Sequence, residues 1–177
     1  MDFFSFYNIP VAFILDEQAL RQKYLQLSKQ YHPDFYGLES EEKQAEVLEL
    51  STLNNEAFKT LSDFEKRFAY ILNLHGLLDE DKNKRALPQL FLMEMMDTNE
   101  ALMELEFKYN DAALQMLQHN LTKLKEDLMN EINPELDTYN HATASDESLN
   151  KFLIYYLKTR YLKRLEDNLA AIKAKQL

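Results

Sequence analysis

Three adjacent residues, His32, Pro33 and Asp34, place an imidazole, a rigid ring and a carboxylate side by side. Such a set can form directed hydrogen bonds with a partner, or His32 could act as a general base that Asp34 orients. Catalysis also needs a pocket and a third positioned group, and the neighbouring sequence offers no oxyanion hole, phosphate loop or metal cluster. An ordinary turn is the remaining alternative, because proline and aspartate are common in turns. We favour a binding role and expect no enzyme activity.

The segment before this tripeptide is basic, although the chain as a whole has a formal net charge of −10. Arg21, Lys23 and Lys29 occur there together with three glutamines. On a helix these residues would make the outer faces locally positive. A local reversal of charge indicates a surface for an acidic partner, through electrostatic complementarity.

A second candidate surface lies in residues 90–104, where residues 90–96 would be apolar nearly all around a helix. A bundle covers only part of a helix, so something else should cover the rest. Six residues at helical spacing form one stripe that begins apolar and becomes acidic: Leu92, Met93, Met96, Asp97, Glu100 and Glu104. Methionines adapt to a partner and carboxylates orient it. The alternative is that Leu92, Met93 and Met96 belong to the bundle core or to a domain seam.

The composition indicates an all-α fold. Only two glycines and four prolines interrupt 177 residues, whereas a sheet protein needs many tight turns. The chain has no cysteine, so disulfides, thiolate nucleophiles and cysteine-held metal sites are excluded within it. We expect no cofactor and no metal, because His75, His119 and His141 are scattered and none pairs with a carboxylate at a metal-ligand spacing.

The charge and hydropathy patterns narrow the partners and the location. The acidity argues against nucleic acid, because binding phosphates requires clustered positive charge. No run of about 18 apolar residues is long enough to span a bilayer. The start of the chain lacks the basic and apolar regions of a secretory signal. We therefore expect a soluble cytoplasmic protein that binds neither nucleic acid nor membrane.

The first block of helices can be placed from periodicity and capping. Asp16 predicts a helix start, and an apolar stripe from Leu20 should end near Tyr31, because the residue before Pro33 disfavours helical dihedrals. A loop should follow as far as Ser40, the expected cap of a second long helix. Ser62 or Asp63 should cap a third helix, which Gly76 closes. We expect the two longer helices to pair antiparallel, with two short helices flanking them.

The second block predicts a three-helix bundle. Pro88 suits the first turn of a helix that reaches about Tyr109. A second helix should run from about Asp111 to Ile132, where Asn133 and Pro134 are expected to end it. A polar loop through Ser145 leads to a last helix. We place one domain at 1–75, a linker or domain seam at 76–88 and the bundle at 89–177.

The tripeptide in its setting resembles the J-domain, a helical module of co-chaperones. The likeness rests on the tripeptide between two helices, on the run Asn54-Asn55-Glu56-Ala57-Phe58 and on residues 63–72. The resemblance implies that His32, Pro33 and Asp34 contact an ATPase chaperone and stimulate its ATP hydrolysis. A basic residue commonly follows the tripeptide in J-domains, whereas Phe35 and Tyr36 follow it here. The contact beside the tripeptide should therefore be more apolar, with Lys29 still supplying positive charge.

The whole chain is similar to the HscB family of iron–sulfur cluster co-chaperones, including the opening residues 2–4 and residues 91–94. In that family the stripe equivalent to Leu92, Met93, Met96, Asp97, Glu100 and Glu104 binds the cluster scaffold protein. Tyr161 falls where the family has an aromatic residue in the same patch.

The resemblance implies two partners, a heat-shock-type ATPase chaperone of the HscA/DnaK class and a scaffold protein of the IscU type. The protein would deliver the scaffold to the chaperone for cluster transfer. The alternative is a general J-domain protein with another client. Such proteins tend to add Gly/Phe-rich linkers and sheet-built client domains, and this chain shows neither.

Overall fold

Every regular element that the computed structural model describes, over residues 1–79 and 87–175, is helical, which confirms the predicted all-α class. One 3₁₀ turn, Pro33–Tyr36, lies between the second and third helices. The α-helices are α1 (Phe3–Tyr7), α2 (Glu17–Gln30), α3 (Glu41–Leu61), α4 (Phe64–Leu74), α5 (Gln89–Phe107), α6 (Asp111–Asp137) and α7 (Asp146–Ala174). None of these described helices has the length and apolar character needed to cross a membrane.

The chain divides into two compact units. The first comprises Met1–His75 with Tyr139–Thr143, and the second comprises Gly76–Thr138 with Ala144–Leu177. The domain boundaries placed at 75 and 89 stay predictions. Residues 80–86 of the predicted linker lie outside the described residues.

Side-chain caps set the starts of the helices in the first unit, at the positions predicted from the sequence. The Ala19 amide donates to Asp16 at 2.9 Å, at the start of α2. Ser40 and Asp63 accept in the same way at the starts of α3 and α4. Each cap satisfies an amide that the first turn of a helix leaves without an internal partner. Gly76 follows α4 with a φ of +68°, the left-handed conformation that glycine adopts without a steric penalty.

Helices α2 and α3 form the antiparallel pair expected from the sequence. The Tyr24 ring stacks on the Phe58 ring with centroids 4.2 Å apart, and Ser28, one turn later on α2, meets Asn54, one turn earlier on α3. This opposite progression defines antiparallel helices. The loop between them therefore lies at one end of the pair.

One buried side chain, that of Asn54, joins three helices of the first unit. Its amide nitrogen donates to the Tyr24 carbonyl at 3.2 Å and to the Ser28 hydroxyl at 2.9 Å, both on α2. Its amide oxygen accepts from the Tyr7 hydroxyl on α1 at 2.9 Å. Only 1% of Asn54 is exposed, so these bonds form in a low-dielectric interior where an unpaired amide would be costly. They fix how α1 and α2 sit along α3.

The second unit is a three-helix bundle, as predicted. Helices α5, α6 and α7 each contact the other two. Lys125 on α6 and Glu166 on α7 form a half-buried ion pair at 2.9 Å. The apolar core of this unit consists of Phe91, Met95, Leu102, Leu105, Leu114, Leu117, Leu121, Leu128, Ile132, Leu136, Phe152, Tyr155, Leu162, Leu165, Leu169 and Ile172.

The predicted end of α6 at Asn133 and Pro134 was wrong, because the helix continues to Asp137 with Pro134 inside it. Proline removes one backbone hydrogen bond and crowds the preceding turn. Leu128, Ile132 and Leu136 are all buried at a spacing of four residues, so one further helical turn brings Leu136 into the core. Tertiary packing therefore outweighs the local preference against helix.

The burial of Asn54 generates a stability prediction. Asn54→Ala should lower the free energy of unfolding of the first unit by about 2–3 kcal/mol, because it removes the hydrogen bonds of the buried amide to α1 and α2 and leaves a cavity in its place. Urea unfolding followed by circular dichroism measures the difference. The matched control is the neighbouring Asn55→Ala, which should cost less than about 1 kcal/mol because the Asn55 side chain is exposed and accepts from the Tyr24 hydroxyl at its surface. Equal losses in both variants would contradict the role given to Asn54.

Candidate docking surfaces

The tripeptide is exposed at the tip of the α2–α3 pair. His32 has extended dihedrals, as expected for a residue before proline, and Pro33 begins the 3₁₀ turn. The Asp34 amide donates to His32 Nδ1 at 3.3 Å, and the Asp34 carboxylate lies 3.7 Å from the same nitrogen. A neutral His32 that accepts at Nδ1 carries its hydrogen on Nε2, which has no partner among the described residues. The loop thus offers a donor and a carboxylate to another molecule.

Hydrogen bonds to both flanking helices hold the loop in place. The Tyr36 hydroxyl donates to the Gln30 carbonyl at the end of α2 at 2.8 Å. The Gln44 side chain on α3 donates to the Glu39 carbonyl at 2.9 Å. The backbone of the loop is therefore tied to α2 and to α3, although most of its side chains are exposed.

The structure brings together two of the three predicted basic residues. Arg21 and Lys29 are eight residues apart on α2, so they lie on the same side of the helix, and both are exposed. Lys23 follows Arg21 by two residues, which turns it by about 200° around the helix axis, and it is half-buried. The basic face of α2, defined by Arg21 and Lys29, leads along the helix to His32.

On α5 the predicted stripe lies on the solvent side of the helix. Phe91, Met95, Leu102 and Leu105 are the buried residues of α5. All six stripe residues, Leu92, Met93, Met96, Asp97, Glu100 and Glu104, are exposed. Met96 is 67% exposed although its neighbour Met95 is buried. Leu92, Met93 and Met96 therefore do not belong to the bundle core, which was the alternative interpretation.

The sequence interpretation missed an apolar extension of this stripe. Met103 and Phe107 are exposed and follow Met96 at seven and eleven residues, so the three lie along one side of α5. Met103 and Phe107, with Met116 on α6, line a groove of about 840 Å³, which Asp97, Glu100 and Glu104 also border. The spacing of Met103 and Phe107 from Met96 was the sequence signal for this extension.

Tyr161 on α7 lies at the edge of the same side of α5. Its hydroxyl accepts from the Asn99 amide at 2.9 Å, and its ring meets the Phe91 ring edge-on with centroids 5.6 Å apart. Asn99 follows Leu92 by seven residues, so both lie along one edge of α5. Tyr161 is half-buried and extends the side of α5 that carries Leu92.

Two histidines that are far apart in the sequence meet in the first unit. Tyr139 contacts both, with its hydroxyl 2.7 Å from His75 Nε2 and 3.0 Å from His141 Nδ1. Burial lowers the pKa of His75 below its ordinary value, and the neighbouring His141 lowers it further. No group of three or more potential metal ligands occurs in residues 1–79 and 87–175.

The comparisons with known proteins agree with the domain order. Residues 87–170 match the family model described as the HSCB C-terminal oligomerisation domain. The crystal structure of human co-chaperone protein HscB matches with a TM-score of 0.76 and 25% identity, over 100% of this chain and 83% of that chain. Residues 87–170 thus carry the HSCB C-terminal domain, and the whole chain is similar in fold to an HscB co-chaperone. The fold also matches that of chaperone HscB from Vibrio cholerae, with a TM-score of 0.79 and 24% identity, over 99% of this chain and 100% of that chain.

The stability of this protein should show a pH dependence that arises from His75. Its lowered pKa means that the unfolded chain binds a proton more readily than the folded unit does. The free energy of unfolding should therefore fall as the pH drops below about 6.5, the ordinary value for histidine, and His75→Gln should reduce this slope. Denaturant unfolding at several pH values measures it.

An NMR titration separates the two causes of the shift. His141→Gln should raise the pKa of His75 only part of the way to its ordinary value, because burial is the larger cause. A complete return would assign the shift to His141, and no change would show that His141 has no effect.

Proposed function

We propose that this protein stimulates ATP hydrolysis by a heat-shock-type ATPase chaperone of the HscA/DnaK class and delivers to it an iron–sulfur scaffold protein of the IscU type. One observation carries the proposal: a single chain presents an exposed His32-Pro33-Asp34 loop in one unit and an exposed apolar-to-acidic stripe in the other. Both surfaces suit protein partners. The match of residues 87–170 to the HSCB C-terminal domain and the likeness to human HscB support a co-chaperone role in iron–sulfur cluster assembly.

The chaperone-docking surface would consist of the tripeptide and the basic face of α2. Arg21 and Lys29 would attract acidic groups of the chaperone and orient the encounter. His32 and Asp34 would then make directed hydrogen bonds, with Pro33 limiting the freedom of the loop. Lys23 is the weakest of the predicted contacts, since it lies half-buried on a different side of α2.

The scaffold-binding surface would be the α5 stripe with Tyr161 at its edge. Leu92, Met93 and Met96 would bury apolar area against the scaffold, and methionine adapts to an irregular surface. Asp97, Glu100 and Glu104 would require basic groups on the scaffold, because like charges across an interface repel. The cluster is cargo in this scheme, and this chain supplies no ligand to it.

Carrying both surfaces on one chain raises the effective concentration of the scaffold at the chaperone. The tripeptide would favour the hydrolysing state of the chaperone, which then retains the scaffold and promotes cluster release. The chemistry belongs to the chaperone, and His32 acts as a contact and not as a catalytic base. We place this activity in the cytoplasm, as predicted from the sequence.

A second candidate is a general J-domain protein with another client. The same tripeptide would serve both functions, so only the occupant of the α5 stripe separates them. The exposure of all six stripe residues and the match of residues 87–170 to the HSCB C-terminal domain favour the scaffold.

His32→Gln tests the chaperone-docking surface. This variant should abolish the stimulation of single-turnover ATP hydrolysis, because glutamine does not reproduce the ring geometry that presents the Nε2 donor. The His32 side chain is half-exposed, so the helical content and the binding of the scaffold should be unchanged. The same chaperone must be one that the wild-type protein stimulates. Stimulation by His32→Gln at the wild-type level would then contradict the role of the tripeptide.

Replacing Leu92, Met93 and Met96 together by alanine tests the scaffold-binding surface. The affinity for the scaffold should fall at least about tenfold, since three apolar contacts are lost together. Isothermal titration calorimetry measures the affinity, and thermal unfolding should show little change because the three side chains are exposed.

The matched control replaces Met93 and Met96 by leucine, which keeps the apolar volume and should leave binding within about threefold of wild type. An alanine variant with unchanged affinity for the scaffold would exclude this surface.

A further inference from the structure

Three large apolar side chains on α2 and on the loop that carries the tripeptide remain in solvent. We call Leu25, Phe35 and Leu38 the apolar cap. Leu25 is 54% exposed and Phe35 is 68% exposed, while Leu38 is fully exposed. Single exposed apolar residues are common on proteins, but three around one binding loop indicate a contact surface.

Leu25 lies within the basic face of α2. It is four residues after Arg21 and four residues before Lys29, so the three side chains follow one another along the same side of the helix. A partner that pairs with both cations must also cover Leu25. The face therefore combines charge with apolar area.

Phe35 contacts His32 through both its ring and its backbone. Their rings lie 5.5 Å apart between centroids, and the Phe35 amide donates to the His32 carbonyl at 3.0 Å. A partner that reaches the His32 ring must therefore also contact Phe35. An aromatic ring therefore occupies the position after the tripeptide, where J-domains commonly carry a basic residue.

The loop holds Phe35 and Leu38 outward by its polar contacts. The Tyr36 hydroxyl bonds to α2, and the Glu39 amide donates to the Tyr36 carbonyl at 3.0 Å on the other side of Leu38. The Gln44 side chain fixes the Glu39 carbonyl to α3. Because the loop is already ordered, burying its apolar side chains against a partner would cost little backbone entropy.

We propose that the apolar cap supplies an apolar contact, beside the tripeptide, with the chaperone that this protein stimulates. This inference rests on the proposed function and deepens it. The occupant is a heat-shock-type ATPase chaperone whose docking face has an apolar recess for Phe35 and Leu38, beside carboxylates that meet Arg21 and Lys29. Continuity with the tripeptide favours this partner, because any other occupant of the cap would block access to His32.

Single-turnover ATP hydrolysis tests the proposal, with the full chain titrated into a purified DnaK-class or HscA-class chaperone that the wild-type protein stimulates. The double variant Phe35→Ala, Leu38→Ala should need a concentration at least about tenfold higher than wild type to give half-maximal stimulation of the ATP hydrolysis rate. The maximal rate should change less than about twofold, because the tripeptide is intact. Phe35→Lys should be at least as weak as Phe35→Ala, since a cation cannot enter an apolar recess without a large desolvation penalty.

Ile14→Ala is the matched control. Ile14 is 51% exposed but precedes the start of α2, about 21 Å along that helix from the loop. This variant should stimulate the chaperone like wild type, and circular dichroism should show all variants folded.

Four outcomes would overturn the inference. These are an unchanged half-maximal concentration in the double variant, tighter docking of Phe35→Lys than of wild type, an equal loss in Ile14→Ala, or a dimer of wild type that the double variant converts to a monomer in sedimentation. Failure of the wild-type protein to stimulate any DnaK-class or HscA-class chaperone would instead refute the proposed function, and the inference with it.

Discussion

The hydrogen bonds of the buried Asn54 side chain set the geometry on which the chaperone-docking surface depends. One amide meets α2 through Ser28 and α1 through Tyr7, so sliding either helix along α3 would leave polar groups unpaired in the core. Apolar contacts alone tolerate such sliding better, because they are not directional. The register of α2 against α3 then decides where the loop begins and ends. The buried amide of Asn54 therefore helps to position the tripeptide loop at the surface.

Both candidate surfaces expose large apolar side chains, but different structural features keep these side chains in solvent. The loop keeps Phe35 and Leu38 outward through hydrogen bonds to α2 and α3. On α5, Met93 and Met96 are outward because they lie opposite the buried Phe91 and Met95. The net charge of −10 keeps such a surface compatible with solubility, since copies of the chain repel one another. The charges beside the two surfaces have opposite signs, so one partner would not suit both.

Local sequence signals located most helix ends, and the exception shows their limit. Asp16, Ser40 and Asp63 cap where expected because a capping bond forms between residues three apart and needs no tertiary contact. Pro134 was expected to end α6, but the burial of Leu136 in the bundle carries the helix past it. That burial depends on tertiary packing, which a local rule does not include.

The sequence by itself determined the all-α class, the antiparallel pair around the tripeptide and the helical spacing of the α5 stripe, because periodicity and capping act between near neighbours. It could not decide which side of α5 is buried, since residues 90–96 are apolar nearly all around the helix. Packing of α5 in the three-helix bundle buries the side that carries Phe91 and Met95. Tertiary structure also brought Tyr139 to His75, 64 residues apart in the chain. Such contacts depend on packing between distant segments, and no local pattern encodes them.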